Sequence, residues 1–339
     1  MSIDQGLPPH VQLVQIALGT TVTQILRAAA ELGIADQLAD GPKTAEEISG
    51  TLGTHAPSLH RLMRTLASIG ILKQGAEHRY ALTPLGDALR ADAPGGGRAT
   101  LLTLGSEWWN RMMEELPYSV RTGKSGFEKA LGMPIFEFIG QSPVRASMFS
   151  ETMVGFHGAE PPAVAAAYDF SQFKTIVDVG GATGNLLTTI LGTHPGPQGI
   201  LFDMPHVVRD APALIQSRGL TDRVKIESGS FFESVPAGAD AYVLSHVIHD
   251  WSEEQCLTIL RHCHRAMMPE SKLLLVEMVL PEGEAPHPGK TLDIVMLVGP
   301  GGQERTPPEY EALLAKAGFR VARVVPTASP VSIVEAVKA

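Results

Sequence analysis

The sequence predicts an α/β protein in which a doubly wound, mostly parallel sheet follows a smaller, mainly α-helical domain. Three observations predict this class. Short apolar runs alternate with helical patterns from residue 175 onward, as in parallel sheets covered by helices. A strand, a glycine-rich turn and a helix start follow one another within residues 175–187. Residues 8–82 instead carry helical periodicity that closes with two short strands.

The bulk composition narrows the class of protein. The chain has 339 residues, of which 44% are hydrophobic, enough for two domains with sizeable cores. A net charge of −9 argues against a broad nucleic-acid-binding surface. We find no secretory signal and no apolar run long enough to span a membrane, so we expect a cytoplasmic protein. Cys256 and Cys263 fall in one helical pattern and are expected to be reduced packing residues.

The N-terminal part of the chain is predicted to be a winged helix-turn-helix. Residues 8–40 carry apolar positions at helical spacing, and Thr44-Ala-Glu-Glu47 is a capping box that opens a helix through Leu52. A second helix is expected from Ser58 to about Ile69. Two short strands, 71–74 and 79–82, complete the module.

Two functions fit this module. Its second helix carries His60, Arg61 and Arg64, as a DNA-reading helix would. The alternative is a scaffold whose apolar faces pair with a second subunit. The acidic chain and the long apolar N-terminal helices favour the scaffold.

The segment after this module is rich in large, soft side chains. Gly95-Gly-Gly97 is predicted to be a flexible boundary, and residues 100–150 read mainly as helices. An adaptable apolar wall suits a flat aromatic substrate, although each such side chain could equally belong to a core. The residues concerned are Trp108, Trp109, Met112, Met113, Phe127, Met133, Phe136, Phe138, Met148, Phe149, Met153 and Phe156.

The stretch Thr175-Ile-Val-Asp-Val-Gly-Gly-Ala-Thr-Gly-Asn-Leu-Leu187 suits an adenosine-containing cofactor. Its glycines let a ligand approach the backbone, and the helix that follows offers free N–H groups. Asp203 ends the next predicted strand, where an acid can accept hydrogen bonds from ribose hydroxyls. The alternative is an ordinary turn in a domain that binds no ligand.

Later strands are predicted at 224–228, 241–245, 272–278, 319–325 and 331–336, the last two forming a closing hairpin. His249 follows the strand 241–245, Glu277 lies at the end of 272–278, and Glu304 lies in a turn ahead of a helix. An imidazole held by carboxylates is a plausible general base at neutral pH. The alternative is a structural histidine.

A metal site is not expected. His246 and His249 straddle a strand end, while His262 and His264 lie two apart on a predicted helix and so face different ways.

Taken together, these motifs resemble S-adenosylmethionine-dependent O-methyltransferases of the plant caffeate and bacterial polyketide or phenazine type, over nearly the full length. The resemblance rests on the segments Asp178-Val-Gly-Gly-Ala-Thr-Gly184, Phe202-Asp-Met-Pro-His206, Gly229-Ser-Phe-Phe-Glu-Ser-Val-Pro236, His249-Asp-Trp251, Val276-Glu-Met-Val-Leu-Pro281 and Gly301-Gly-Gln-Glu-Arg-Thr306.

The resemblance implies an organisation and a partner. It implies a winged-helix dimerisation domain (1–98), connecting helices that contribute to the substrate pocket (99–150), and a Rossmann-like, S-adenosylmethionine-binding catalytic domain (151–339). The protein would be a homodimer that binds neither nucleic acid nor membrane, and S-adenosylhomocysteine would be the product of its cofactor.

The resemblance also implies residue roles. His249 would deprotonate the acceptor hydroxyl, bracketed by Glu277 and Glu304. The cofactor would be bound by Asp178, Gly180, Gly181, Gly184, Asp203, Met204, Ser230, Phe231 and Ser245. The acceptor would be contacted by Phe149, Met153, Asp250 and Met296.

Three positions depart from the family pattern. Ala182 stands where the family usually has glycine, and Ser230 replaces the usual acid near adenine. Ser245 replaces a lysine that is common four residues before the base. Cofactor binding could therefore be weaker, or the cofactor could serve another chemistry.

The expected reaction is methylation of a small aromatic metabolite. A phenol with a pKa near 10 is within reach of a histidine base, whereas an aliphatic alcohol is a much harder acceptor. Two alternatives stay open: a non-methylating reaction such as decarboxylation, hydroxylation or rearrangement on the same fold and cofactor, and a ligand-sensing DNA-binding regulator.

Overall fold

The structure is a computed structural model that describes residues 6–339. The described residues divide into two compact units, one of the residues up to Arg111 with Phe136–Gly158, and one of Met112–Ile135 with Ala159–Ala339. The α-helices are α1 (Pro9–Ala17), α2 (Gly19–Glu31), α3 (Ile34–Gln37), α4 (Ala45–Leu52), α5 (Ala56–Ser68), α6 (Pro84–Asp87), α7 (Gly97–Leu104), α8 (Glu107–Glu114), α9 (Leu116–Thr122), α10 (Gly126–Leu131), α11 (Ile135–Gly140), α12 (Pro143–His157), α13 (Glu160–Ala167), α14 (Asn185–Thr193), α15 (Ala211–Ser217), α16 (Glu253–Ala266), α17 (Pro288–Val298) and α18 (Pro307–Lys316).

The strands are β1 (Leu72–Gln74), β2 (Tyr80–Leu82), β3 (Thr175–Val179), β4 (Gln198–Asp203), β5 (Val224–Ser228), β6 (Ala241–Ser245), β7 (Lys272–Glu277), β8 (Phe319–Pro326) and β9 (Ser332–Lys338). Short 3₁₀ helices lie at Ala76–His78, Phe170–Gln172, Val208–Asp210 and Ile248–Asp250.

In the first unit, two helices and a hairpin appear in the predicted order. Thr44 and Glu47 make the predicted capping box at the start of α4. The apolar side of α5 buries Met63 and Leu66 completely, because its leucines and methionine recur at helical spacing. β1 and β2 pair antiparallel, and the Tyr80 side chain closes the core beneath them.

The N-terminal helices keep much of their apolar surface exposed. α1 buries no residue, and Leu13 and Val14 are 66% and 57% exposed. The helical stretch Pro9–Glu31 is 23 residues long and contains an 18-residue window with a mean hydropathy of 1.2, so it could cross a membrane by length and composition alone. This corrects the expectation that no such run exists. Such an exposed apolar surface is also what a subunit interface requires.

The glycine-rich segment before α7 is a packing point. Gly96 has a φ of +66°, and a Cβ built there would overlap the carbonyl oxygen of Glu151 on α12. Thr100 also lies against Gly155, so small residues let α7 and α12 approach closely. Close packing at Gly96 thus gives one reason for a glycine here, and the flexibility of the segment stays a prediction.

The second unit is built on a seven-stranded sheet in the order β5-β4-β3-β6-β7-β9-β8. β3 to β7 are parallel, and β8 and β9 form the antiparallel closing hairpin. The doubly wound fold and all seven predicted strands are confirmed. The chain leaves β3 toward β4 on one side and later returns to β6 on the other. Ligands in such sheets bind at the carboxyl ends of the strands near this reversal.

Both faces of this sheet are covered by buried apolar side chains. The inner strands are nearly continuous apolar runs, as expected for strands buried on both faces. Cys256 and Cys263 are buried free thiols on α16, which confirms the prediction that they are packing residues.

Candidate functional site

The turn after β3 is shaped by its glycines. Gly180 has a φ of +74° and donates its N–H to the carbonyl of Phe202 on β4. A Cβ at Gly181 would lie 2.5 Å from the Asp178 carboxyl, so only glycine lets the turn pack over this acid. Gly184, at φ +84°, is the N-cap of α14, whose free N–H groups therefore begin at the turn.

Asp203 ends β4 and binds the same turn. Its two carboxylate oxygens accept hydrogen bonds from the N–H groups of Ala182 (2.9 Å) and Met204 (2.7 Å). Burial raises the pKa of Asp203, and these two N–H donors oppose that rise. Ala182 itself has a φ of +51°, in the left-handed region where a methyl group is disfavoured.

Asp178 is a buried acid beneath the turn. It is 1% exposed, and neither carboxylate oxygen makes a hydrogen bond within residues 6–339. Burial first, and then the nearby charge of Asp203, raise its pKa to about 7. The buried Asp178 and the half-buried Asp203, with a glycine turn between them, form a polar cradle that fits a polar or positively charged ligand group.

An aromatic wall adjoins this cradle. Phe231 lies against Gly180, since a Cβ built on that glycine would come within 3.5 Å of its ring. The Phe231 ring also meets Trp251 edge-on at 5.9 Å between centroids. Ser230 accepts the Phe232 N–H at 3.2 Å, so its hydroxyl is used within its own loop. Ser245 ends β6.

The sheet edge next to this cradle, after β6 and β7, gathers the three residues predicted for acid–base chemistry. His249 lies in the 3₁₀ turn after β6 and is 4% exposed. Its Nδ1 is 2.6 Å from Glu304 Oε1 and 3.7 Å from Glu277 Oε2. Its Nε2 is 3.6 Å from Asp250 Oδ1. Both glutamates are at most 1% exposed, so these contacts are shielded from water.

Two carboxyl groups around His249, those of Glu277 and Asp250, have pKa values above their ordinary range. Burial, and then the negative charge of Glu304, raise the pKa of Glu277 well above its ordinary value. Burial raises the pKa of Asp250 to about 6, against the opposing effect of His249. Clustered pKa shifts of this kind are common where a protein positions acid–base chemistry.

Backbone contacts fix the turn that carries His249. Glu277 Oε1 accepts the Ile248 N–H at 2.9 Å, and the Gln303 N–H donates to the His249 carbonyl at 2.8 Å. A Cβ at Gly302 would overlap that same carbonyl oxygen, so the two loops touch backbone to backbone. Met296 contributes through its carbonyl, which accepts the Gly301 and Gly302 N–H groups where α17 ends.

Several residues at this edge were not predicted from the sequence. His246, at φ +52°, pairs with the buried Glu160 at 2.6 Å, and its ring centroid is 5.0 Å from that of His249. Asp293 on α17 accepts the Glu304 N–H at 2.9 Å. His246 follows β6 and Glu160 begins α13, so no local sequence pattern joins them and the sequence held no signal for this pair.

A metal is not assigned at this edge. Ligand atoms of His246, His249 and Glu277 lie within 4.8 Å of one another, which a metal ion could span. However, each side chain is already engaged within the protein. Glu160 binds His246, Glu304 binds His249, and the Ile248 N–H binds Glu277.

Two predicted acceptor contacts belong to the other compact unit. Phe149 and Met153 lie on α12, whereas Met296 is 9% exposed on α17 in the second unit. Their roles stay predictions.

Comparison with known proteins decides the family. A family model described as an O-methyltransferase domain matches residues 113–320, and one described as an O-methyltransferase dimerisation domain matches residues 14–92. The chain belongs to the O-methyltransferase family. The predicted resemblance is therefore confirmed, and the protein is a methyltransferase enzyme whose N-terminal region is a dimerisation domain.

Similar proteins of this family span the whole chain. Phenazine O-methyltransferase PhzM of Lysobacter antibioticus is 44% identical, over 98% of this chain and 97% of the relative. The crystal structure of LaPhzM superposes with a TM-score of 0.93 at 43% identity, covering 98% of this chain and all of the other. An O-methyltransferase from neocarzinostatin biosynthesis, solved with S-adenosylmethionine and 2-hydroxy-5-methyl naphthoic acid, has a TM-score of 0.80 at 35% identity, covering 94% and 96% of the two chains.

Proposed function

We propose that this O-methyltransferase methylates a phenolic or enolic hydroxyl of a small aromatic metabolite, with S-adenosylmethionine as the donor. The observation that carries the proposal is the buried His249–Glu304 pair, 2.6 Å apart, at the same sheet edge as the glycine turn between Asp178 and Asp203. A proton acceptor and a nucleotide-type cradle are the two parts that methyl transfer to oxygen requires.

The residues after β3 and β4 fit the donor. When bound, S-adenosylmethionine supplies a methyl group already activated by its sulfonium. Gly180, Gly181 and Gly184 would leave room along the methionine portion, and Asp203 with Met204 would bind the ribose end. Asp178 supports this turn from below, where a Cβ on Gly181 has no space. Ser230, Phe231 and Ser245 would border the adenosine.

The proton moves to His249. Glu304 accepts a hydrogen bond at Nδ1, which fixes the tautomer in which Nδ1 carries hydrogen and Nε2 holds the lone pair. In this role Nε2 removes the proton from the acceptor hydroxyl as the new O–C bond forms. The buried carboxylate then stabilises the positive charge that the imidazole gains. Glu277 keeps the turn in place through the Ile248 N–H.

The acceptor class follows from the relatives and from the chemistry. Relatives are named for phenazine and for 3-amino-4-hydroxybenzoate, and both are aromatic. A phenol ionises near pH 10, close enough for an imidazole base to assist. Asp250 and Met296 would contact the ring or its hydroxyl, and the roles of Phe149 and Met153 stay predictions.

The finer description of the N-terminal region is also a proposal. Residues 1–98 would form a winged-helix dimerisation domain, 99–150 connecting helices beside the acceptor, and 151–339 the catalytic domain. The exposed apolar residues of α1 would pair with a second subunit in a cytoplasmic homodimer.

The test combines binding and product mass. Titration calorimetry with S-adenosylmethionine and S-adenosylhomocysteine is expected to give binding of both, despite Ser230 and Ser245. Incubation with S-adenosylmethionine and hydroxylated aromatic acceptors should then yield a product heavier by one methyl group, with one S-adenosylhomocysteine for each. Acceptors whose hydroxyl is already methylated are the matched control and should give no product. A product that gains no methyl group would overturn the proposal in favour of different chemistry on the same cofactor.

A further inference from the structure

Arg305 is a buried cation directly behind the candidate base. It is 4% exposed and follows Glu304 in the chain. Its Nη1 donates to the carbonyls of Gln303 at 3.0 Å and Ile248 at 3.4 Å, and its Nη2 is 3.9 Å from Cys256 Sγ. A guanidinium stays protonated inside a protein, so this site contains a permanent positive charge.

The two carbonyls belong to the two loops that meet at His249. The Ile248 carbonyl lies in the peptide that joins Ile248 to His249, and Gln303 is the residue that donates its N–H to the His249 carbonyl. A single planar side chain therefore binds both loops. Both bonds come from Nη1, whose two N–H groups point in fixed directions in the guanidinium plane, whereas the freely rotating ammonium of lysine has no fixed donor directions.

The charge of Arg305 acts on a crowded acidic cluster. Its positive charge lowers the pKa of Glu277 and of Asp293, against the larger effect of burial. Burial and neighbouring negative charge alone would leave these acids holding more protons. The titratable and charged groups that face Arg305 and this cluster are Glu160, His246, His249, Asp250, Glu253, Cys256, Glu277, Asp293, Glu304, Glu309 and Tyr310.

We propose that Arg305 is a positioning residue for methyl transfer: its buried guanidinium binds the two loops that meet at His249 and holds them in place directly behind the base. This inference rests on the proposed function. It assigns Arg305 two separable roles. The guanidinium N–H groups hold the backbone of the two loops (the fork role), and the positive charge lowers the pKa of the acids around it (the charge role).

Two variants separate these roles. Arg305→Met removes both the fork and the charge, whereas Arg305→Lys keeps a charge and loses the fork. Removing a cation from an acidic cluster makes the whole cluster hold its protons to higher pH. We expect R305M to move the acid limb of the pH–rate profile upward by roughly one pH unit and to lower turnover about tenfold or more. R305K should lower turnover several-fold, with the acid limb where the parent has it.

Arg223 provides the matched control. Its guanidinium also binds backbone carbonyls, those of Leu191, His194 and Pro197, but at the far end of β4 and α14. R223M should reduce stability without moving the acid limb.

A second readout does not depend on turnover. The protonation midpoint of His249 is followed by NMR of histidine-labelled protein, with its signal assigned by its loss in H249A. It should rise in R305M and stay unchanged in R305K and R223M. If the parent shows no methyl transfer, the proposed function fails, while this titration still judges Arg305. An unchanged midpoint in folded R305M, or an R305K enzyme as active as the parent, would overturn the inference. If R305M does not fold, the turnover of R305K decides the fork role, and a shifted His249 midpoint in R305K, which keeps the charge, would refute the charge role.

Discussion

The two adjacent parts of the sheet edge treat buried acids differently. After β3 and β4, the carboxylate of Asp203 is met by backbone N–H groups at the start of a helix. After β6 and β7, Glu304 is met by an imidazole, and Arg305 lies behind it. Backbone donors cannot change their charge, while an imidazole can gain and lose a proton at neutral pH. The first arrangement is therefore suited to hold a ligand and the second to move a proton.

This contrast also separates activity from stability. A change in the cluster around His249 should alter turnover more than cofactor binding. A change in the glycine turn after β3 should alter stability and cofactor binding through the backbone. The variants below test that separation from the largest expected effect to the smallest.

Replacing His249 with alanine should have the largest effect. Loss of a positioned general base typically lowers turnover by about 10² to 10⁴. The glycine turn is untouched, so calorimetry should show nearly unchanged affinity for S-adenosylhomocysteine. H264A is the control, because His264 lies near the end of α16 and its ring packs against Phe319 of β8 rather than against the residues around His249. Parent-level turnover in H249A would show that the residues around His249 take no part in proton transfer, and the contrast between the two parts of the sheet edge would then be wrong.

Asp178→Asn tests the buried acid beneath the glycine turn through the pH dependence of the protein's stability. The folded pKa of Asp178 is about 7, above roughly 3.9 for an unfolded aspartate. Between these values the folded state holds a proton that the unfolded state has released. The stability contributed by this group is therefore fully present below about pH 4 and is lost as the pH rises to about 7.

D178N removes this loss. It should be more stable than the parent at pH 7–8, by at most about 4 kcal/mol, and this gain should vanish near pH 4. Urea denaturation at several pH values measures it. The exposed Asp169, whose pKa lies below its ordinary value, provides the D169N control, which should keep the downward trend from pH 4 to 7. A D178N protein no more stable than the parent at pH 8 would show that burying the ionised Asp178 carboxylate does not destabilise the folded protein.

Gly302→Ala tests how tightly the second cluster is packed. A Cβ at Gly302 would overlap the His249 carbonyl oxygen and lie 2.7 Å from the Asp250 carbonyl carbon. We expect a stability loss of about 1–3 kcal/mol, because packed backbone must shift. Turnover should also fall, because the shift moves His249.

Gly192 is the matched control for that variant. It lies in α14, and apart from its own helix backbone no atom of residues 6–339 lies within 4 Å of its Cβ position, so G192A should stabilise by roughly 0.5–1 kcal/mol. Both values come from thermal and denaturant unfolding. A G302A protein with the parent's stability and turnover would mean that the loop at residues 301–303 has room to move, and that His249 is held by its side-chain partners alone.

The same contrast explains what the sequence could predict. The first arrangement is nearly contiguous: Asp178, the glycines and the helix start lie within seven residues, Asp178 to Gly184. Strand patterns and glycine spacing were therefore enough to predict it. The fold followed for the same reason, since each strand is a local apolar run. His249, Glu277 and Glu304 could be predicted as a group only because parallel strands bring their carboxyl ends to one edge.

What the sequence missed depends on side chains that meet across the fold. The His246–Glu160 pair joins residues 86 apart, and neither neighbourhood is unusual. The packing of Gly96 against α12 was not predicted, because glycine allows both flexibility and close packing and the sequence does not show which neighbour it meets. The burial of Arg305 likewise depends on the two loops around it.

Ala182→Gly should have the smallest effect and sharpens the comparison most directly. Ala182 has a φ of +51°, a conformation that costs a residue with a Cβ about 1–2 kcal/mol. Glycine removes this cost but adds freedom to the unfolded chain, worth roughly 0.4–1 kcal/mol. The net gain should therefore lie between about 0 and 1.6 kcal/mol, seen as a slightly higher thermal midpoint. G184A is the opposite control, because it adds a Cβ at φ +84°, 3.1 Å from Leu201. If A182G is less stable than the parent, packing of the Ala182 methyl outweighs its strain, and the turn is then governed by side-chain contacts as much as the cluster around His249.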